Sequence, residues 1–315
     1  MAGDDERFRT AALQIAANEA RMGHEAVAKE IQQLLEKARS VSFDSRLTPR
    51  SVAMGALQNQ LEGLLETVEP RFGLQHMVLS SDLQMRLERV VKEHRQFNRL
   101  HEYDLHPRQK LLLLGPPGCG KTMTAHALAH DLSLPLYVVR LDALFTKYLG
   151  ETAAKLRLVF DAIHRQRGVF LFDEFDSLGL TRGAQHDVGE MRRVFNSLLV
   201  FIDNMRGTSL IIAASNHSDA LDPALFRRFD DIIEYPMPTR DGILQIIKRR
   251  LGDEFQQTIN WQKVLRAVSS MSYAEVVRVA DEAVKEKIID NLPGITTELL
   301  LKTAAERRKR PQQKK

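Results

Sequence analysis

Apolar residues recur at two different periods along this chain, and the change from one to the other divides it. Within residues 8–38, Val27, Ile31, Leu34, Leu35 and Ala38 fall at helical spacing, which gathers them into one apolar stripe on a helix face. Gly23 interrupts the pattern and predicts a two-helix hairpin. A stretch containing Ser40, Ser42, Ser45 and Pro49 reads as linker, and a further amphipathic helical segment covers about residues 52–68, ending before Pro70. Ser81, with Gln84 three positions on, has the pattern of a capping box opening a helix that runs to about Leu100. Beyond it, short apolar runs at Lys110–Leu114, Leu136–Val139, Val169–Phe172, 210–214 and 231–235 alternate with helical patterns. Strands separated by helices predict a parallel sheet covered on both faces. After Pro238 the strand signals stop, and residues 243–250, Trp261–Val268 and 273–290 read as helices.

Composition narrows the class. With 315 residues, 43% of them hydrophobic, the chain has enough apolar surface for about two globular domains. The net charge of +4 depends on Arg307, Arg308, Lys309, Arg310, Lys314 and Lys315, without which it turns negative. The basic balance therefore belongs to a solvated tail, and a nucleic-acid-binding face is disfavoured. Residues 1–10 carry Asp4, Asp5 and Glu6 and no apolar core of a signal peptide. No apolar run approaches the ~18 residues needed to span a bilayer. A single cysteine, Cys119, excludes an internal disulfide framework, and together these features lead us to expect a cytoplasmic protein without a membrane association.

Candidate chemistry centres on Gly115, Pro116, Pro117, Gly118, Cys119, Gly120, Lys121 and Thr122, which read G-P-P-G-C-G-K-T between a predicted strand and a predicted helix that includes Met123. Glycines at those positions let the backbone wrap closely around phosphate oxygens with successive N–H groups pointing inward, and the following helix presents the positive end of its dipole. Lys121 supplies a point charge for the β and γ phosphates, and the Thr122 hydroxyl a ligand for Mg2+. Cys119 lies near a helix N-terminus, where a thiol pKa can fall, but a small residue at a position the motif leaves free is the favoured reading. A second apolar strand pattern ends in Asp173 and Glu174, as a buried strand delivering acids to the nucleotide-binding edge of a sheet would. There Asp173 is placed to hold the magnesium ion and Glu174 to orient or deprotonate the attacking water. His126 and His130 are four apart on one helix face, but no HExxH glutamate or third ligand accompanies them, so a solvated face is favoured over a metal site.

Taken together, these residues resemble the AAA clade of AAA-plus ATPases over roughly residues 74–289. The fold so implied is α/β: a P-loop NTPase parallel sheet with helices on both faces, plus a small C-terminal helical lid and an N-terminal helical module. The expected divisions are residues 1–72 for that module and its linker, 73–237 for the large ATPase subdomain, 238–305 for the lid and 306–315 for the basic tail. The run from Leu210 to Asn216, followed by L-D-P-A-L at 221–225 and R-R-F-D at 227–230, looks like the clade's second region of homology. The likeness makes Asn216 the sensor of the attacking water or γ phosphate. It makes Arg227 and Arg228 arginine fingers that reach the ATP of an adjacent subunit, which implies a homo-oligomeric, hexameric ring. Residues 144–151 resemble the first pore loop, with Lys147, Tyr148 and Leu149 facing a polypeptide in the channel, and residues 182–189 stand where the second, more polar loop belongs. Asp176 either lines the intersubunit face or caps a helix.

Two positions depart from the clade's pattern. Ser272-Tyr273-Ala274-Glu275 replaces the usual Ser-Gly-Ala-Asp beside the adenine, so Tyr273 stands in place of a glycine and reshapes or covers the base pocket. Ile247 stands where relatives often carry a histidine near the ribose, and Ala274 where other branches carry a sensor arginine. The resemblance implies an Mg-dependent ATPase that remodels or unfolds a protein substrate, with the N-terminal helices selecting it. It extends to stand-alone bacterial AAA proteins encoded beside a subtilisin-like protease in anti-phage loci, which implies such a protease as partner. A nucleic-acid motor or loader, or an ATP-gated assembly switch, stays open as the second reading.

Overall fold

A sheet of six strands organises the chain from Glu62 onward. The computed structural model describes residues 61–144, 149–178, 188–205, 207–252 and 259–309, with backbone alone at 149–150, 178 and 188–193. The strands are β1 (Leu65–Val68), β2 (Lys110–Leu114), β3 (Leu136–Val139), β4 (Val169–Phe172), β5 (Leu210–Ser215) and β6 (Asp231–Glu234). They lie in the order β1-β3-β4-β5-β2-β6, all parallel except β1, which pairs antiparallel with β3. The described helices are α1 (Ser81–Arg95), α2 (Phe97–His101), α3 (Lys121–Leu132), α4 (Leu141–Leu144), α5 (Leu149–Arg165), α6 (Val188–Asp203), α7 (Pro223–Phe226), α8 (Arg240–Leu251), α9 (Trp261–Val268), α10 (Tyr273–Ile289) and α11 (Thr297–Lys309).

Alternation along each strand builds a core on each face of the sheet. Leu112, Leu114, Phe170, Phe172, Ile211 and Ala213 pack against Leu156, Val159, Phe160 and Ile163 of α5 and Leu198 and Ile202 of α6. Their neighbours Leu111, Leu113, Val169, Leu171, Leu210 and Ile212 face Leu87, Val90 and Val91 of α1 and Ala125, Leu128 and Ala129 of α3. A third core is confined to the lid, where α8 to α11 bury Ile243, Ile247, Val264, Val276, Ala280 and Leu300. Ile247 is thus packing material for the lid, and its neighbour Ile246 is the one that lines the large cavity.

Four readings of the sequence change. Residues 65–68 form an edge strand where the pattern predicts helix, because Leu61, Leu64, Leu65 and Val68 sit at helical spacing and only pairing with β3 decides the matter. The sheet thereby recruits chain from upstream of residue 73. Ser80, not Ser81, caps α1 by accepting from the Leu83 N–H, while Gln84 bonds Glu88 at 2.8 Å instead of reaching back to the cap. The helix also breaks at Gln96 before α2 begins. Finally, Arg307, Arg308 and Lys309 are the last turn of α11, where cations complement the helix dipole. The N-terminal hairpin and residues 310–315 lie outside the described residues.

Candidate active site

The strand order places the C-terminal ends of β2, β4 and β5 side by side, and the G-P-P-G-C-G-K-T loop joins β2 to α3 at that edge. Gly115, Gly118 and Gly120 all have positive φ (141°, 76° and 106°). At Gly118 the requirement is also one of space, since a Cβ there would sit 2.7 Å from Ser272 Oγ and 3.0 Å from the Ala274 Cβ. The close approach is used: the Ala274 N–H donates to the Gly118 carbonyl at 3.0 Å, fastening the lid to the loop. Ser272 forms a full capping box with Glu275 at the start of α10, which fixes that helix end against the loop.

Lys121 is buried, and its Nζ donates to the carbonyls of Gly115 (2.6 Å) and Pro116 (2.9 Å) and to Asn216 Oδ1 (2.8 Å). Burial draws its pKa down, opposed by Cys119, Asp173 and Asp176 nearby. Thr122 Oγ1 donates to Asp173 Oδ2 at 2.7 Å across 51 residues of sequence. The other carboxylate oxygen accepts from the Glu174 N–H at 2.9 Å. Glu174 itself adopts φ 49°, a left-handed conformation uncommon for a non-glycine residue and typical of strained functional positions. Around these groups lies a cavity of ≈ 860 Å³, lined by Pro117 to Met123, Asp173, Glu174, Asn216 and, from the lid, Tyr273 and Ala274. One hydroxyl and one carboxylate in contact, with no cluster of three or more metal-binding side chains among the described residues, suit an Mg2+ ion that takes its remaining ligands from phosphate and water.

Cys119 is buried, and burial pushes its thiol pKa up against the weaker pull of Lys121. This fits Cys119 as a small residue filling a position the motif leaves free, since desolvation disfavours the thiolate. Asp176 is buried too: it accepts from Ser215 Oγ at 2.9 Å and from the Asn216 N–H at 3.1 Å. The sequence offered no sign of that anchoring, which depends on β4 and β5 being neighbours. Arg249, Arg250, Arg278 and Asp281 of the lid also line the cavity; only Arg278 was within reach of spacing arguments, one helical turn beyond Ala274.

The two proposed finger residues behave differently. Arg228 is tied down within its own chain, to Asp203 Oδ2 at 2.8 Å and the Ala224 carbonyl at 2.7 Å. Arg227 is exposed, and its side chain has no hydrogen bond or ion pair among the described residues. Lys147 and Tyr148 lie outside the described residues, as do 182–187, and Leu149 is described only as the backbone start of α5.

Residues 111–237 match the family model described as "ATPase family associated with various cellular activities (AAA)". An uncharacterized AAA family ATPase, y4kL, from Sinorhizobium fredii is 36% identical over 290 residues, covering 91% of this chain and 86% of that protein. This chain belongs to the AAA family of ATPases. As a member it binds nucleotide and hydrolyses ATP. The ATPase is also similar to the proteasome-activating nucleotidase of Pyrococcus abyssi, 32% identical over 79% of this chain and 59% of that one. The ATP-dependent zinc metalloprotease FtsH of Mycoplasmopsis synoviae is 36% identical over 55% of the chain, yet only 27% of FtsH is spanned. Among the described residues of this ATPase no helix is long and apolar enough to cross a membrane.

Proposed function

We propose that this ATPase hydrolyses ATP, with Mg2+, in the cavity between the phosphate loop and the lid, and that it does so as a six-membered ring that remodels or unfolds a protein. The observation that carries the reading is the convergence of Lys121, Thr122, Asp173 and Asn216, from the ends of three strands, on one cavity. Incoming phosphate oxygens replace the carbonyls and the Asn216 amide as partners of the Lys121 ammonium, which is already desolvated and therefore gains strongly from an anion. Thr122 and Asp173 hold the ion, which when bound neutralises charge on the phosphates. Glu174 takes or orients the proton of the attacking water, and Asn216 keeps that water in line. Arg227 of a neighbouring subunit stabilises the charge that develops on the transferred phosphoryl group.

Asp176 acts through Asn216. Asp176→Ala is expected to lower kcat by about 10-fold while ATP affinity stays put, because it unseats the amide without touching the phosphate loop. Asp176→Asn, whose amide oxygen still accepts, is expected to recover most of that loss. Equal damage from both substitutions, or a matching loss of ATP binding, would remove Asp176 from the mechanism.

Support for a polypeptide as the substrate comes from the relatives, one named for activating the proteasome and another named a metalloprotease. We extend the reading to a protease partner on the same basis, and to Lys147, Tyr148 and Leu149 as the grip on the chain being pulled. Steady-state ATPase of the full chain, with casein or with DNA at low salt, tests it. Casein is expected to raise turnover and Tyr148→Ala to abolish that rise, with EDTA stopping hydrolysis altogether. Stimulation by DNA alone would instead favour a nucleic-acid motor.

A further inference from the structure

Behind the ≈ 860 Å³ cavity lies a second of ≈ 150 Å³, and the wall between them is made by Val78, Cys119 and Tyr273, which line both. Of the three, only Tyr273 brings a large ring. It opens α10, and its phenol reaches across to the first turn of α8, where a Cβ on Gly242 would fall on top of the hydroxyl. The absent side chain at Gly242 and the bulk at Tyr273 are therefore complementary in shape. The hydroxyl has no hydrogen-bond partner among the described residues, so the ring is held by fit. Burial accordingly moves its phenol pKa up.

The phosphate end of the large cavity is marked by Lys121, Thr122 and Asp173, which leaves the apolar end, near Met77, Val78 and Ile246, for the base. Tyr273 closes that end. We infer that Tyr273 is a specificity-determining residue that sets the size of the base: it admits an unsubstituted purine nucleoside triphosphate and denies a substituted base the smaller cavity behind. The inference rests on the nucleotide site proposed above. Shortening the side chain to glycine joins the two cavities and removes a six-membered ring, the same volume that a benzyl substituent adds to a nucleotide. Hydrophobic walls discriminate mainly by such steric exclusion, since overpacking forces side chains off their preferred rotamers.

The test is steady-state hydrolysis of ATP and of ATP carrying a benzyl group on N6, C2 or C8, by the full chain and by Tyr273→Gly and Tyr273→Phe. Wild type and Tyr273→Phe are expected to use ATP and reject all three analogues. Tyr273→Gly is expected to raise the ratio of kcat/KM for one or more of the analogues to that for ATP by at least about 10-fold. No rise in that ratio for any analogue overturns the inference, as does a wild type that uses the analogues as well as ATP. Should Tyr273→Gly fail to fold, the nucleotide-induced rise in Tm of Tyr273→Ala is read instead: stabilisation by an analogue that leaves wild type unmoved supports the wall, and its absence overturns it. Wild-type ATP hydrolysis in the same series reports on the nucleotide site itself, so failure of that site and failure of the wall are told apart.

Discussion

Glu174→Gln is expected to bind Mg·ATP as tightly as the parent and to turn it over at least about 100-fold more slowly, the usual contribution of a positioned general base. The geometry gives the reason. Glu174 follows Asp173 at the end of β4, its N–H is spent on the Asp173 carboxylate, and its backbone sits at φ 49°, so the chain turns sharply just after Asp173, the acid proposed to hold the ion. Its side chain lines the cavity, whereas the ligands assigned to phosphate and ion are other residues. Glutamine keeps the size and removes the proton acceptor, so binding and assembly survive while chemistry stalls. Equilibrium binding of a fluorescent ATP analogue, paired with single-turnover hydrolysis of ATP, separates the two. Turnover at the parent's rate in Glu174→Gln would strip the residue of its role.

Arg227→Ala is expected to cost as much, at least about 100-fold in kcat, since an arginine finger contributes that or more to phosphoryl transfer. The distinction from Arg228 comes from the structure: Arg228 is occupied by Asp203 and the Ala224 carbonyl, while Arg227, just past α7, is exposed and without partners among the described residues. A guanidinium serving a neighbouring subunit has to be available in this way. The decisive experiment mixes two inactive proteins. Lys121→Ala lacks the cation for phosphate but has the finger; Arg227→Ala has the loop but lacks the finger. In randomly mixed rings roughly a quarter of interfaces pair an intact loop with an intact finger, so hydrolysis is expected to return to a comparable fraction of the parent's. Mixed rings that form, as seen by native mass, yet stay inactive would rule out action across the interface.

Much of this site could be read from residue order alone, and the reason is local. A phosphate loop is a continuous stretch whose function depends on backbone conformation: Gly115, Gly118 and Gly120 do have positive φ, as a glycine-rich turn between strand and helix requires. The buried strands were equally plain, because a run such as V-F-L-F admits few other places in a globular protein. By contrast, four-residue β1 carries a spacing that fits both periods, and pairing with β3 is what makes it a strand.

What the linear order determined, then, is which chemical groups each segment carries: the glycines, lysine and threonine of the loop, the acid pair after β4, the asparagine after β5 and the two arginines. What tertiary structure alone decided is which of those groups touch and which are already taken. Asp176 anchors Asn216 because parallel pairing sets β4 beside β5; the Cys119 thiol is held protonated because packing desolvates it more than the nearby Lys121 favours its anion. Ile247 went into the lid core while Tyr273 became a cavity wall, since helix orientation in the lid, and not residue type, chooses the face each presents. Contacts between segments far apart in the chain depend on strand order and helix packing, and no local pattern encodes those.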